Sequence, residues 1–445
     1  MHAVAAPGPD LASAIQRLSR GSVLVVGDTM LDRYIFGAAT RLSPEAPVPV
    51  LTVERELAVP GAAGNVVRNL TALGAATALV SVVGDDQAGS DLTGLIGGQF
   101  NVEPWLLVEG SRCTTVKSRF VADGQQLLRT DHEVTAPIDA RLAERMLRIA
   151  TDALVATSVT VLSDYAKGVL AGNIPPRLIA AARDAGRKII VDTRGANLDR
   201  FAGADVTVMT ARALGAATGM AVATESQIAS AARWLRTSHG FGAVVVNRRD
   251  EGFCVVEAGG ETAVPPGCGE PFNYAGAGDT AVAAIAAALA VGIDLTEATR
   301  IAALAVSVCA SQTGLPVATA EELLAALTPA GQARRKIMPP QAAAAQIAHW
   351  RQAGLRTGLV IGEHRTSLAS LRRACDRLVL ALEAPEEAAL AAAAALPAID
   401  LVSFFPVGTR RDTLTTLRPD LLLEPEAGEA LTALVESWGG AVLSL

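Results

Sequence analysis

Cysteine is sparse in this 445-residue chain and never closely paired: Cys113, Cys254, Cys268, Cys309 and Cys375 stand apart, with no C-x-x-C among them. That spacing excludes a disulfide framework and argues against a Cys/His metal centre, so a reducing, cytoplasmic setting is expected. Long apolar runs are lacking too. The Ala-rich stretches 281–290 and 388–395 are too short or too broken to span a bilayer, so they are read as tightly packed helices with no membrane insertion. The first ten residues carry neither a basic n-region nor a long apolar segment, and no signal peptide is expected. Basic charge is not in excess, with 38 Lys and Arg against 45 Asp and Glu for a net charge of -7, and aromatics make up only 4%. No basic stripe with interleaved aromatics arises, which excludes the usual footprint of a nucleic-acid partner.

What the chain does have is apolar residues, half of the total, and enough length for two domains of about 300 and about 100 residues. Short β-branched runs alternate with Ala-rich helical segments, which predicts a βαβ series with a parallel sheet. The runs are Ser22–Val26, Thr77–Val83, Ala153–Leu162, Lys188–Val191, Val206–Met209 and Ala243–Asn247. Between Pro44 and Pro49 three prolines forbid a helix, and the extended segments Val48–Val53, Thr114–Val121 and Gln126–Arg129 predict a small separate sheet able to cover a site as a lid. We divide the chain into an extension over 1–20, a large α/β domain over 21–328, a linker over 329–340 and a small α/β domain over 341–445.

The stretch most suggestive of chemistry is Asn273-Tyr274-Ala275-Gly276-Ala277-Gly278-Asp279-Thr280 before the Ala-rich run. Its small residues leave backbone N–H groups uncovered where a helix begins, so a phosphate could rest there with Asp279 facing the transferred group. The same spacing also serves turns that only close a loop. Asp28 and Asp32 follow the first strand, at the sheet end where ligands bind, and read either as acceptors for sugar hydroxyls or as turn and cap residues. Asn65, in Pro60-Gly61-Ala62-Ala63-Gly64-Asn65, is the better ligand candidate of the pair Asn65 and Asn69. Lys167 and Arg194 each lie just past a strand, as phosphate ligands or as surface charge.

Taken together, these motifs resemble the bifunctional heptose-7-phosphate kinase and heptose-1-phosphate adenylyltransferase family, whose kinase half is ribokinase-like. The resemblance covers about 20–325 and rests on Val26-Gly27-Asp28 with Met30-Leu31-Asp32-Arg33-Tyr34, on Arg41 and Ser43 through Val50, on Leu162-Ser163-Asp164-Tyr165-Ala166-Lys167-Gly168, and on Gly276-Ala277-Gly278-Asp279. It implies a three-layer α/β/α domain with a β lid, commonly a homodimer through the lids, using ATP and Mg2+ to phosphorylate the 1-hydroxyl of a sugar phosphate. By that resemblance Asp279 is the catalytic base and Gly276, Ala277 and Gly278 form the anion hole. Asp28, Asp32, Gly61, Ala62, Asn65, Arg119, Arg129 and Lys167 contact substrate, while Arg194, Arg248 and Gly252 join the nucleotide side. No metal ligand is assigned, the Mg2+ arriving with ATP.

Departures from the family pattern are specific. Asn273 and Ala275 replace Asp and Thr before the glycines, and Arg212 and Gly215 replace Asn and Glu of T-P-N-x-x-E. They predict weakened or altered ATP use and leave two alternatives, a kinase of another sugar and a noncatalytic pseudokinase. The small domain resembles the family's Rossmann-like, nucleotidyltransferase-type half, but Leu359-Val360-Ile361 runs almost directly into Gly362-Glu363-His364-Arg365. One histidine thus remains of H-x-G-H, and Glu424-Pro425-Glu426 stands where K-G-G-D belongs. We expect this half to be inactive in adenylate transfer.

Overall fold

The structure is a computed structural model, and its described residues are 11–122, 125–195, 197–267, 273–312, 314–362, 368, 372–424 and 428–443. They form two compact units, the first reaching Gly267 and taking in Ala275–Cys309 and Leu315–Leu323, the second comprising mainly Leu324 onward with Ala310–Gly314 and residues just before Ala275.

The first unit is built on β1 (Ser22–Gly27), whose apolar run is buried along almost its whole length. Chain order continues with β2 (Thr29–Leu42), β3 (Pro49–Ala62), β4 (Ala76–Gly84), β5 (Val102–Glu109), β6 (Val116–Ala122), β7 (Gln125–His132) and β8 (Val159–Asp164). It ends with β9 (Lys188–Thr193), β10 (Val206–Thr210), β11 (Ala243–Asn247), β12 (Phe253–Glu257) and β13 (Gly260–Val264). Nine of these make one sheet in the order β13-β12-β11-β10-β9-β8-β1-β4-β5. From β5 to β11 the pairing is parallel, and β12 and β13 add an antiparallel edge. Continuous Val/Ile/Leu runs suit strands covered on both faces, and each fully buried Val or Leu side chain contributes about 1.5–3 kcal/mol of hydrophobic stabilisation.

Strand order turns back at β1, which lies between β4 and β8, so the carboxyl ends of β1, β8 and β9 open onto one crevice. The helix Ala277–Ala290 packs beneath it, and every residue from Thr280 to Leu289 is buried. Its alanines are what allow that, since a helix apolar all round must be enclosed on all sides.

The second sheet of this unit is the expected lid, in the order β3-β2-β6-β7. β2 and β3 are long antiparallel partners, and the Pro44–Pro49 segment turns between them. The outer strand β7 is exposed throughout. Asp86 caps the helix Gln87–Gly97, its carboxylate accepting from Gly89 N.

In the second unit β14 (Ile337–Met338), β15 (Thr357–Ile361), β16 (Arg377–Glu383), β17 (Leu401–Phe405), β18 (Leu421–Leu423) and β19 (Ala441–Leu443) form a parallel sheet ordered β14-β17-β16-β15-β18-β19. The stretch 329–340, read from sequence as a linker, holds the helix Pro329–Arg334 and then β14, which pairs with β17 as an edge strand. Thr328 caps that helix through Gly331 N, a signal that Thr-Pro carries in the sequence.

Candidate active site

Asp279 is in the first turn of Ala277–Ala290 and is 5% exposed. Gly276 caps that helix in the left-handed region at φ 74°, and a Cβ there would sit 2.7 Å from Asn65 Nδ2, so both backbone and space require glycine. The first helical bond runs from Thr280 N to Gly276 O, which leaves the N–H groups of Ala277, Gly278 and Asp279 at the open end, where the helix dipole favours an anion.

Both carboxylate oxygens of Asp279 are held. Asn65 Nδ2 donates to Oδ2 at 2.8 Å, and the Tyr165 hydroxyl donates to Oδ1 at 2.5 Å. Burial pushes Asp279 up to about 6, the nearby Asp192 adds to the rise, and the Tyr165 and Asn65 hydrogen bonds and Arg194 oppose it. Asn65 is itself fixed: its Oδ1 accepts from Arg68 Nη1 at 2.9 Å, and Arg68 Nη2 reaches Leu315 O at 3.0 Å. Asn69, the weaker ligand candidate of the pair, is buried and accepts from the Thr280 hydroxyl at 2.9 Å.

Arg194 joins the same group. One of its Nη atoms is 2.9 Å from where a Gly278 Cβ would lie, so the guanidinium overlooks the open helix end. It sits 5.1 Å from the Tyr165 ring centroid, and Nη1 is 3.3 Å from Asp192 Oδ1. Asp192 is buried, its Oδ2 has no hydrogen-bond partner, and burial raises its pKa. The Asp192 carboxylate in turn holds Arg194 still more firmly protonated.

Asp28 takes a different place from the one expected of a sugar ligand. Its carboxylate accepts from the backbone N of Tyr165 at 2.8 Å, Lys167 at 3.0 Å and Val169 at 3.0 Å, so it shapes the loop after β8. Burial raises its pKa against those three bonds. The turn-and-cap alternative describes it better than the sugar-acceptor one.

On the lid, Asp32 Oδ1 accepts from Arg119 Nη1 at 2.5 Å, and a Cβ at Gly61 would overlap Asp32 Oδ2. Ala62, which starts the helix Ala63–Ala72, has φ 53° and ψ -124°, a strained conformation for any residue with a Cβ. Arg119 and Arg129 face each other across β6 and β7. Lys167 Nζ lies 2.7 Å from Glu133 Oε1, Lys117 Nζ pairs with Glu133 and Asp131, and Arg129 with Asp131, giving alternating charges along one edge. This edge could take a phosphate only by releasing an acid.

The expected nucleotide-side residues Arg248 and Gly252 follow β11, two strands from β9 in the main sheet. Arg248 Nη2 donates to Glu251 O and Nη1 faces Glu225, so its guanidinium closes its own loop. Arg212 is exposed. Among the described residues no group of three or more His, Cys, Asp or Glu is arranged to hold a metal ion. Asn273 donates from Nδ2 to Gln312 O and Gly314 O, each at 2.8 Å, a tie between two chain segments.

Sequence reading passed over Tyr165, Arg68 and Asp192. Tyr165 was inside a quoted motif, and Arg68 lies one turn from Asn65 on the same helix face, a spacing that could have singled it out.

A twisted, mostly parallel sheet with a β lid and a buried acid at a glycine-started helix defines the ribokinase-like class of carbohydrate kinase folds. Solved structures agree at the level of fold: Arabidopsis thaliana ribokinase complexed with ribose and ATP has a TM-score of 0.56 at 18% identity, covering 69% of this chain and 99% of that one. Phosphofructokinase-2 from Escherichia coli in complex with potassium has a TM-score of 0.57 at 20% identity, with the same coverage. Residues 20–321 match the pfkB family carbohydrate kinase. The bifunctional protein HldE of Acidiphilium cryptum is 48% identical over 98% of this chain and 95% of its own, and that of Paramagnetospirillum magneticum is 40% identical over 97% and 95%. The chain belongs to the pfkB family of carbohydrate kinases and, over nearly its whole length, to the family of bifunctional HldE proteins.

Among the described residues no helix is long and apolar enough to cross a membrane. The stretch Glu363 to Arg365, where the resemblance finds the phosphate loop shortened, lies outside the described residues. At the carboxyl end of β18, Glu424 pairs with Arg410.

Proposed function

We propose that the first unit transfers the γ-phosphoryl group of ATP to the anomeric C1 hydroxyl of D-glycero-D-manno-heptose 7-phosphate, giving the 1,7-bisphosphate on the route to ADP-heptose and lipopolysaccharide core. The observation that carries this reading is Asp279: a buried carboxylate of pKa about 6, held by Asn65 and Tyr165 at an anion-binding helix end. Such a group is ionised at neutral pH yet basic enough to take a hydroxyl proton as that oxygen attacks phosphorus. The proton passes to Asp279, the C1 oxygen bonds to phosphorus, and the bond to the ADP oxygen breaks. The N–H groups of Ala277 and Gly278 and the Arg194 guanidinium meet the charge on the moving phosphoryl group. Mg2+ bound to ATP would neutralise charge on the phosphates, while the chain's own Ala277 and Gly278 N–H groups and Arg194 face the transferred group.

On the substrate side, Asp32 with Arg119 is the best-placed pair for the sugar, and Lys167 with Arg129 for its 7-phosphate once Glu133 and Asp131 give way. We read 341–445 as an adenylyltransferase-like domain without activity, because only His364 remains of H-x-G-H and Glu424, paired with Arg410, begins the stretch that stands where K-G-G-D belongs. The protein is cytoplasmic in this account and dimerises through the lid, whose Leu42, Val48, Val53, Leu57, Leu127 and Leu128 are exposed.

Purified protein with ATP, Mg2+ and heptose 7-phosphate should release ADP, and Asp279→Asn should lower the rate at least about 10³-fold. No ADP above that variant's background would sink the reading. The noncatalytic alternative is favoured by exposed Arg212 and the absence of a carboxylate at Asn273, and the same assay decides it. Turnover of another sugar phosphate, with none of heptose 7-phosphate, would select the kinase of different specificity.

A further inference from the structure

Four side chains from three separate segments meet around one carboxylate, and the proposed chemistry uses only part of them. The Tyr165 hydroxyl donates to Asp279 Oδ1 and accepts from Arg194 Nη2 at 3.5 Å, while the guanidinium also stacks on the Tyr165 ring. Asp192 anchors Arg194 from below through Nη1. A buried aspartate whose second oxygen has no partner is a costly anchor, and the arrangement persists because it holds the arginine over Gly278. We infer that Tyr165 is a positioning residue that locks the Asp279 carboxylate in one orientation and couples it, through Arg194, to the cation facing the transferred phosphoryl group. This rests on Asp279 as the base.

Each carboxylate oxygen keeps a lone pair after accepting one hydrogen bond, so Tyr165 and Asn65 fix the carboxylate without blocking the incoming hydroxyl. Burial and the adjacent carboxylate hold the Tyr165 phenol well above its usual range, which keeps it a donor at every working pH. The charged and polar groups facing Asp279 are Asp192 and Arg194 from the end of β9, Tyr165 from the loop after β8, and Asn65 and Arg68 from the helix Ala63–Ala72. Removing the phenol oxygen withdraws a bond that favours the ionised base, so the base should titrate at higher pH. Orientation is lost as well, and kcat should fall while the sugar KM is little changed.

The test is Tyr165→Phe, read two ways. The kcat–pH profile should keep its form with the acid limb displaced upward by about one pH unit, and kcat at pH 8 should fall roughly tenfold. Independently of turnover, 13C-carboxyl NMR of aspartate-labelled protein, with the Asp279 signal assigned by its loss in Asp279→Asn, should show the same upward displacement. Arg194→Lys, which keeps the charge but loses the planar fork, should lower kcat while leaving the acid limb close to its wild-type position, whereas Arg194→Gln should also displace it upward. A Tyr165→Phe titration superposable on the wild type would overturn the inference even if turnover and its loss in Asp279→Asn uphold the kinase reading. A displaced carboxyl titration in a protein without turnover would show the Tyr165–Asp279 bond acting on the carboxylate while overturning the kinase reading and, with it, the positioning role.

Discussion

At the scale of single residues, Asp279 is a carboxylate kept at a cost to the fold. Its pKa stands near 6 in the folded protein against an ordinary carboxylate value near 4 in the unfolded chain. The folded state therefore binds more protons between those values, and stability falls as pH rises through about 4 to 6, with the full cost present at pH 7. Asp279→Asn removes that cost and keeps the network, since the new amide can accept from Asn65 and donate to the Tyr165 oxygen. We expect the variant to be inactive yet more stable at pH 7.5 by roughly 1–3 kcal/mol, with the difference shrinking toward pH 4.5. Urea denaturation at both pH values measures it, and a variant less stable at pH 7.5 would contradict the account. Asp279, Asn65 and the glycines were legible because they lie in contiguous motifs. The choice between the two readings of Asp28 could not be made locally, because its partners, the N–H groups after β8, lie up to 141 residues further along the chain. Arg194 stands out locally, but its meeting with Tyr165 and Asp192 depends on β8 and β9 being neighbours, which no local pattern states.

Among the elements, the helix Ala63–Ala72 begins under strain that the site imposes. Ala62 adopts φ 53°, so Ala62→Gly should stabilise the protein by about 1 kcal/mol after allowing for the extra chain entropy of glycine. A thermal melt tests this, and a lowered Tm would mean the backbone there is not strained. Next to it, Gly61→Ala forces Asp32 away from its place beside Arg119. That change should raise the sugar KM by about tenfold or more, with a smaller effect on the ATP KM. Strands and helices were readable from apolar runs because both faces of the main sheet are covered. The stretch 329–340 was not: β14 is only two residues long, and its pairing with β17 comes from a segment more than sixty residues later.

For the whole molecule, length and the change of motif make the two-part organisation legible, and the prolines with the extended segments the lid. Its quaternary state is the part that composition leaves open. The exposed leucines and valines of the lid predict association, and Leu57→Glu with Leu128→Glu should convert a dimer to a monomer in sedimentation velocity; an unchanged sedimentation coefficient would place the interface elsewhere. The second unit should release no pyrophosphate from ATP and heptose 1-phosphate, and measurable release would reverse its assignment. The central claim, a kinase whose base is Asp279, is tested most directly by 31P NMR of the protein with ATP, Mg2+ and heptose 7-phosphate. The account predicts ADP and a new anomeric phosphate signal in equal amounts, both absent with Asp279→Asn. Unchanged ATP and a lone 7-phosphate signal, or the same products from Asp279→Asn, would contradict it.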